Sequence, residues 1–233
     1  MKLKTTLKIS LMVVIEIIFC FTPLGTIPIG PIAATLCMVP VVIASLMFGK
    51  RIGALMGFVF AACSFIFFTF LVPAAPTAFL FTPFAQAGGY KGNFFSLLIC
   101  FIPRIIAGLT PVLVTELMYK KTNNNYLANS IASFVGSMTN TILFILLAFL
   151  FFGNELGRFA AESNMANAAT LSNAAKVATL SNAAKVALEG NRVIADKGLT
   201  LILGLTFLTN GIPEAIVCAI VCPPVVKVLR KFK

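Results

Sequence analysis

Five polar residues interrupt otherwise apolar stretches of this 233-residue chain: Glu16, Arg104, Asn140, Asn210 and Glu214. A guanidinium in an apolar setting can hold a carboxylate bidentately, with two parallel N–H···O bonds. Two arrangements follow from these residue types. One is an Arg104–Glu214 ion pair, backed by the two amides, that holds helices together. The other is a polar pocket in which Arg104 takes an anionic solute while Asn140, Asn210 and Glu214 bond its remaining polar groups. The two are compatible. Glu16 is expected to pair with Arg104, to line the pocket, or to orient the first helix. Glu116, four residues before Lys120, reads as a rim pair.

Other chemistries are excluded by composition. There is no His, which removes imidazole acid–base catalysis, imidazole metal ligation and Ser-His or Cys-His nucleophile pairs. No G-x-x-x-x-G-K-[ST] loop is present, so the chain has no such cradle for ATP. The six cysteines lie in apolar runs without C-x-x-C spacing and read as small buried hydrophobes. An enzyme, a bound cofactor and a metal site are therefore not expected.

The elements that position these residues are membrane helices. Hydrophobic residues make up 59% of the chain and charged ones only 11%, with mean hydropathy +1.01; a soluble domain carries about 25% charged residues. Six apolar segments occur at Leu7–Phe21, Ile32–Phe48, Ile52–Val72, Phe94–Met118, Leu127–Phe152 and Leu199–Val221. Most approach the ~20 residues needed to cross ~30 Å of hydrocarbon. The expected fold is an all-α integral membrane protein: a compact six-helix bundle forming one domain, 1–233. A Gly/Pro-rich link, Thr22–Pro31, joins the first two segments and reads as a loop folded back over the bundle. The N-terminus reads as a first span, because the stretch after it lacks the small-residue site of a cleaved signal.

Charge fixes orientation. Eleven of the 18 bases fall before the first span, at Lys50/Arg51, at Lys120/Lys121 and at the C-terminus. The remaining seven bases are matched in number by the seven acids, so the net charge of +11 is a topology label and not a sign of nucleic-acid binding. Both termini are expected to be cytoplasmic in a multi-pass cell-membrane protein, with residues 153–198 outside. That outer loop holds a tandem nonapeptide, Ala169–Val177 and Ala178–Val186, which reads as a tolerated duplication or a helical lid.

Within the spans, Arg104 lies about ten residues into its helix, roughly 15 Å deep at 1.5 Å per residue. Pro103 loosens the helix beside it and Gly108 clears space one turn on. Thr206, Asn210 and Glu214 step by four and share a face. Gly49, Gly53 and Gly57 form a small-xxx-small stripe that lets another backbone approach closely, either a helix of the same chain or a partner subunit.

Several stretches together resemble the substrate-binding S component of energy-coupling factor (ECF) vitamin transporters. They are Leu24-Gly-Thr-Ile-Pro-Ile-Gly30, Thr35-Leu-Cys-Met-Val-Pro-Val-Val42, Phe48-Gly-Lys-Arg-Ile-Gly-Ala-Leu-Met-Gly57, Pro103-Arg-Ile-Ile-Ala-Gly108, Gly136-Ser-Met-Thr-Asn-Thr141 and Asn210-Gly-Ile-Pro-Glu-Ala215. The Gly-Thr-Ile-Pro-Ile-Gly and Pro-Arg-Ile-Ile-Ala-Gly variants are most similar to the pantothenate-type branch. The resemblance implies a six-helix subunit that binds a vitamin from outside and docks on a membrane coupling (T) subunit with two ATPases. It implies pantothenate first and riboflavin or another vitamin as the alternative. It places Gly25 and Thr26 beside Arg104, Asn140, Asn210 and Glu214 at the substrate. The family often carries an Ala-x-x-x-Ala docking face on its first helix. Here that helix offers only Thr6 and Ser10, so docking is expected to use another surface or to draw on Gly49, Gly53 and Gly57 as a partner interface. A channel or autonomous secondary transporter is the competing class; it needs a continuous polar path or inverted repeats, and neither is seen.

Overall fold

The computed structural model describes residues 3–22, 26–29, 32–75, 77–87, 90–119, 124–171 and 211–231. Among them are six α-helices: α1 (Leu3–Phe21), α2 (Met38–Phe48), α3 (Lys50–Ile66), α4 (Phe94–Tyr119), α5 (Asn125–Leu171) and α6 (Ile212–Lys231). The chain divides into two compact units, one of Met1–Leu147 with Phe207–Lys233, the other Ala148–Thr206. In the second unit the described residues continue α5 through a non-helical residue, Phe152 (φ −128°, ψ 23°), to Leu171. The sequence reading ends the fifth span at Phe152, where this break falls. Beyond 171 the nonapeptide repeat lies outside the described residues.

Four helical stretches among the described residues are long and apolar enough to cross a membrane: Lys50–Leu71, Phe94–Tyr119, Asn125–Leu156 and Ile212–Lys231. The first is α3 continued by a single π turn, Phe67–Leu71. Helix α1 matches them in length, with 19 residues, but carries Lys4, Lys8 and Glu16.

The second apolar segment departs from a single helix. Thr26–Ile29 (β1) and Ile32–Thr35 (β2) pair antiparallel in the register Thr26↔Thr35 to Ile29↔Ile32, and only Met38–Phe48 is helical. The described part of the link expected as a loop, Thr26–Ile29, is thus a strand paired with Ile32–Thr35. Pro28 has no N–H for a helix, and pairing two extended segments satisfies the backbone polar groups that an open loop would leave bare in an apolar setting. Helix α2 is apolar all round except for Ser45, and Met38 to Leu46 are all buried. A helix of this composition belongs at the centre of a bundle. It forms the core with Met56 and Phe60 of α3, Ala107 of α4, Ala132 of α5, and Cys218, Cys222 and Val226 of α6. Pro40 is tolerated because its missing N–H lies in the first turn, where it has no intrahelical partner anyway.

Gly49 turns the chain from α2 into α3. Its φ of +90° is open to glycine and strained for any residue with a Cβ. From there α3 and α4 run in close contact. A Cβ on Gly53 would collide with the carbonyl oxygen of Gly108, one on Gly57 with that of Arg104, and one on Gly108 with that of Gly53. Membrane helices associate through such close backbone approach. Helix α6 also runs ten residues past the expected Val221, through Pro223 and Pro224, and so carries Lys227, Arg230 and Lys231 on a helix and not on a tail.

Candidate functional site

Arg104 is buried in the middle of α4, with 6% of its surface exposed. Its Nη1 donates to the carbonyl oxygen of Cys100 one turn back, at 2.7 Å. The guanidinium carbon then lies 4.9 Å from the ring centre of Phe60, 5.2 Å from Phe81 and 5.8 Å from Phe144. The three rings come from α3, from the connection between α3 and α4, and from α5. Ring faces attract a cation by about 0.5–2 kcal/mol each, depending on desolvation.

The connecting segment is fixed so that Phe81 reaches this position. A 3₁₀ turn, Ala78–Leu80, is fully packed away, and Ser96 of α4 donates to the carbonyl of Phe79 at 2.6 Å. Thr69, in the π turn, donates to Oγ1 of the buried Thr82 at 2.9 Å. Phe79 stacks on Tyr90 (5.4 Å between centres), and Phe81 is held between Phe68 (4.1 Å, 7°) and Phe144 (5.2 Å, 22°).

The aromatic cage leaves the cation's hydrogen-bonding capacity largely unused. Nε of Arg104 is buried with no hydrogen-bond partner, and no carboxylate lies within ion-pair distance of the side chain among the described residues. The expected Arg104–Glu214 pair is therefore not formed, nor is an Arg104–Glu16 pair. A guanidinium desolvated without a counter-charge is costly, and an arriving carboxylate relieves that cost.

The other expected site residues fall around this centre in different ways. On α5, Ser137, Asn140 or Thr141, and Phe144 recur at helical spacing, so Asn140 shares the stripe that presents Phe144 to Arg104. The Oδ1 of Asn140 and the Oγ of Ser137 are buried without hydrogen-bond partners. Gly136 on the same helix packs against Pro111 of α4, and Thr141 packs against Gly211 at the start of α6. Three residues later Glu214 is buried in the first turn of α6, 5% exposed. Phe144, on the Asn140 stripe, thus meets Arg104, and Thr141, beside Asn140, meets the start of α6. Glu16 is completely buried on α1; its Oε1 accepts a long bond from Cys20 Sγ (3.5 Å) and its Oε2 has no partner. Thr26 is the first residue of β1. Gly25, Asn210 and Thr206 lie outside the described residues.

Two further expectations gain detail. Gly53 and Gly57 are buried under α4 of the same chain, the first of the two readings of the stripe, while Gly49 serves the α2–α3 corner. The stripe is internal packing, because glycine on both α3 and α4 lets the two backbones touch. Glu116 pairs with Lys50 at 2.7 Å, joining the end of α4 to the start of α3; Lys120, its expected partner, lies outside the described residues. The sequence reading missed Phe60, Phe81 and Phe144. A chain with 23 Phe and no Trp hides three cage residues among twenty others of the same type. The available signal was Phe81, in a Pro-punctuated connection and not in a span.

The family model for the substrate-specific component of ECF transporters matches residues 4–226. The pantothenic acid transporter PanT of Lactococcus lactis subsp. cremoris (strain MG1363) is 40% identical over 149 residues, covering 64% of this chain and 71% of that protein. With a buried, uncompensated cation at the centre of a membrane helix bundle and a match over nearly its whole length, the chain belongs to the ECF transporter substrate-specific components.

Proposed function

We propose that this protein is the high-affinity vitamin-binding subunit of an ECF importer and that its vitamin is pantothenate. The observation that carries the choice is Arg104, a desolvated guanidinium in an aromatic cage with an unpartnered Nε. Pantothenate ends in a carboxylate, which suits that fork. Its amide and two hydroxyls suit Asn140, Asn210 and Glu214, and its geminal methyl groups suit the phenylalanine rings. Gly25 and Thr26, at the hairpin, complete the proposed site. Riboflavin has no carboxylate and would leave the guanidinium unpaired. The name of the Lactococcus relative supports the same choice.

In this reading the chain is a single domain with six membrane passages, α1 being the first and the hairpin with α2 the second. Both termini are cytoplasmic and residues 153–198 are outside, which agrees with the alternation of bases along the chain. Transport then runs through a membrane coupling subunit and two ATPases, and the surface that docks them is one other than the Gly53/Gly57 stripe. Purified protein titrated with pantothenate tests the reading: one site of nanomolar-range affinity is expected, with riboflavin bound far more weakly. Tight riboflavin binding with no pantothenate binding would overturn it.

A further inference from the structure

Away from Arg104, where α4 and α6 finish and α5 begins, there is a cavity of about 670 Å³ lined by Asn124, Asn125, Asn129, Lys227 and Arg230, with Tyr126 and Pro223 at its edge. Tyr119, beside it, is 15 residues beyond Arg104 on α4, roughly 22 Å at 1.5 Å per residue. Among the described residues no acid lines this cavity.

The direction of its hydrogen bonds is fixed. Arg230 Nη2 donates to the carbonyl of Leu46, an orphan acceptor at the end of α2, at 3.0 Å. Its Nη1 donates to Tyr119 Oη at 3.4 Å, and Tyr119 donates onward to Asn129 Oδ1 at 3.2 Å. Asn124 Oδ1 accepts from the backbone N–H groups of Tyr126 and Leu127, so the helix start is already capped. Asn124 Oδ1 thereby accepts two bonds and Asn129 Oδ1 one, and the amide N–H groups of both remain to be offered. Lys227, one turn before Arg230 on the same face of α6, makes no hydrogen bond or ion pair among the described residues. The cavity therefore presents amide N–H donors and two positive charges, with Arg230 already held in place.

We infer that this cavity binds the phosphate headgroup of an anionic phospholipid. It lies at the ends of two helices long and apolar enough to cross a membrane, Asn125–Leu156 and Ile212–Lys231, where a headgroup would sit. Leu127, Ile220 and Val228 are exposed on the same two helices and give acyl chains a surface. A soluble phosphate would make no use of them. Basic pockets between membrane helices are a recurrent solution for anionic headgroups.

The test is native mass spectrometry, with thermal unfolding, of the full chain in detergent titrated with phosphatidylglycerol or phosphatidylcholine. Glycerol 3-phosphate and inorganic phosphate serve as soluble arms. Phosphatidylglycerol is expected to be retained roughly tenfold better than phosphatidylcholine, a preference lost in Lys227→Gln/Arg230→Gln and kept in the charge-matched Arg51→Gln/Lys231→Gln. Lys227→Glu, which touches none of the Arg230 bonds, is expected to lose the preference while unfolding at the wild-type temperature. Equal retention of the two lipids, equal loss in both double variants, or stabilisation by glycerol 3-phosphate or inorganic phosphate matching that of phosphatidylglycerol would each overturn the assignment.

Discussion

Ser45 Oγ donates a 2.6 Å hydrogen bond to the carbonyl oxygen of Gly108, the residue whose Cα faces Gly53 across the α3–α4 seam. One contact point therefore locks the central helix α2 to two of its neighbours. Gly108 lies one turn from Arg104, and Gly57 rests on the carbonyl of Arg104 itself. The seam and the caged cation occupy the same stretch of α4.

Gly108→Ala and Gly53→Ala each push a methyl group into a backbone oxygen and are expected to destabilise the folded state by about 1–3 kcal/mol, as overpacking does. Ser45→Ala removes one buried hydrogen bond and is expected to cost about 1 kcal/mol. Thermal unfolding in detergent reads all three; wild-type stability in Gly108→Ala would place α3 and α4 further apart than described.

Gly49→Ala separates conformation from packing. Nothing lies within 4 Å of a Cβ built there, yet φ is +90°. A loss of about 1–3 kcal/mol is expected from backbone strain alone. With ψ at −176° the backbone lies in the extended positive-φ region essentially reserved for glycine, so Gly49→Asn is expected to lose as much.

Arg104→Ala is expected to weaken pantothenate binding by about 2–5 kcal/mol, or some 30-fold to several thousand-fold, in isothermal titration. The unliganded variant should be at least as stable as wild type, because the buried cation has no counter-charge to lose. Arg104→Lys keeps the charge but loses the two-pronged geometry, and an intermediate affinity is expected. Unchanged pantothenate affinity in Arg104→Ala would remove the carboxylate from this position.

Phe81→Leu removes one ring from the cage while keeping an apolar side chain. A loss of about 0.5–2 kcal/mol in pantothenate affinity is expected, as a desolvated cation–π contact would give. The measurement that isolates the cage is a double-mutant cycle with Arg104→Ala: additive losses would mean that Phe81 acts without the guanidinium.

The half-exposed Lys50–Glu116 pair, at 47% and 55% side-chain exposure, is expected to matter little. Glu116→Gln should change stability by under about 1 kcal/mol, with the difference shrinking as salt is raised.

Arg104, Asn140 and Glu214 were legible in the sequence because an ionisable or amide group in an apolar run stands out against its background. Their partners were not. The cage rings are phenylalanines in a chain full of them, and only tertiary contact distinguishes Phe60 or Phe144 from a lipid-facing neighbour. Long apolar helices such as α4 were readable from length and hydropathy. The Ile32–Phe48 run was not, because an apolar strand followed by a buried helix leaves the same apolar trace as one span. Gly49, Gly53 and Gly57 have identical spacing in the sequence, yet one is a corner and two are contact points. Spacing reports that a close approach is possible and is silent on which backbone makes it.

The cage joins residues 60, 81, 104 and 144, which belong to four separate stretches of chain. None of these stretches makes the cage by itself, so it comes into being only when the bundle has closed. Under the proposed function, a molecule captured there selects the assembled bundle over every open form and raises the apparent stability by mass action alone. Occupancy would then be a gauge of assembly: damage at the Ser45 clasp is expected to register as a faster release of pantothenate before any helix is lost.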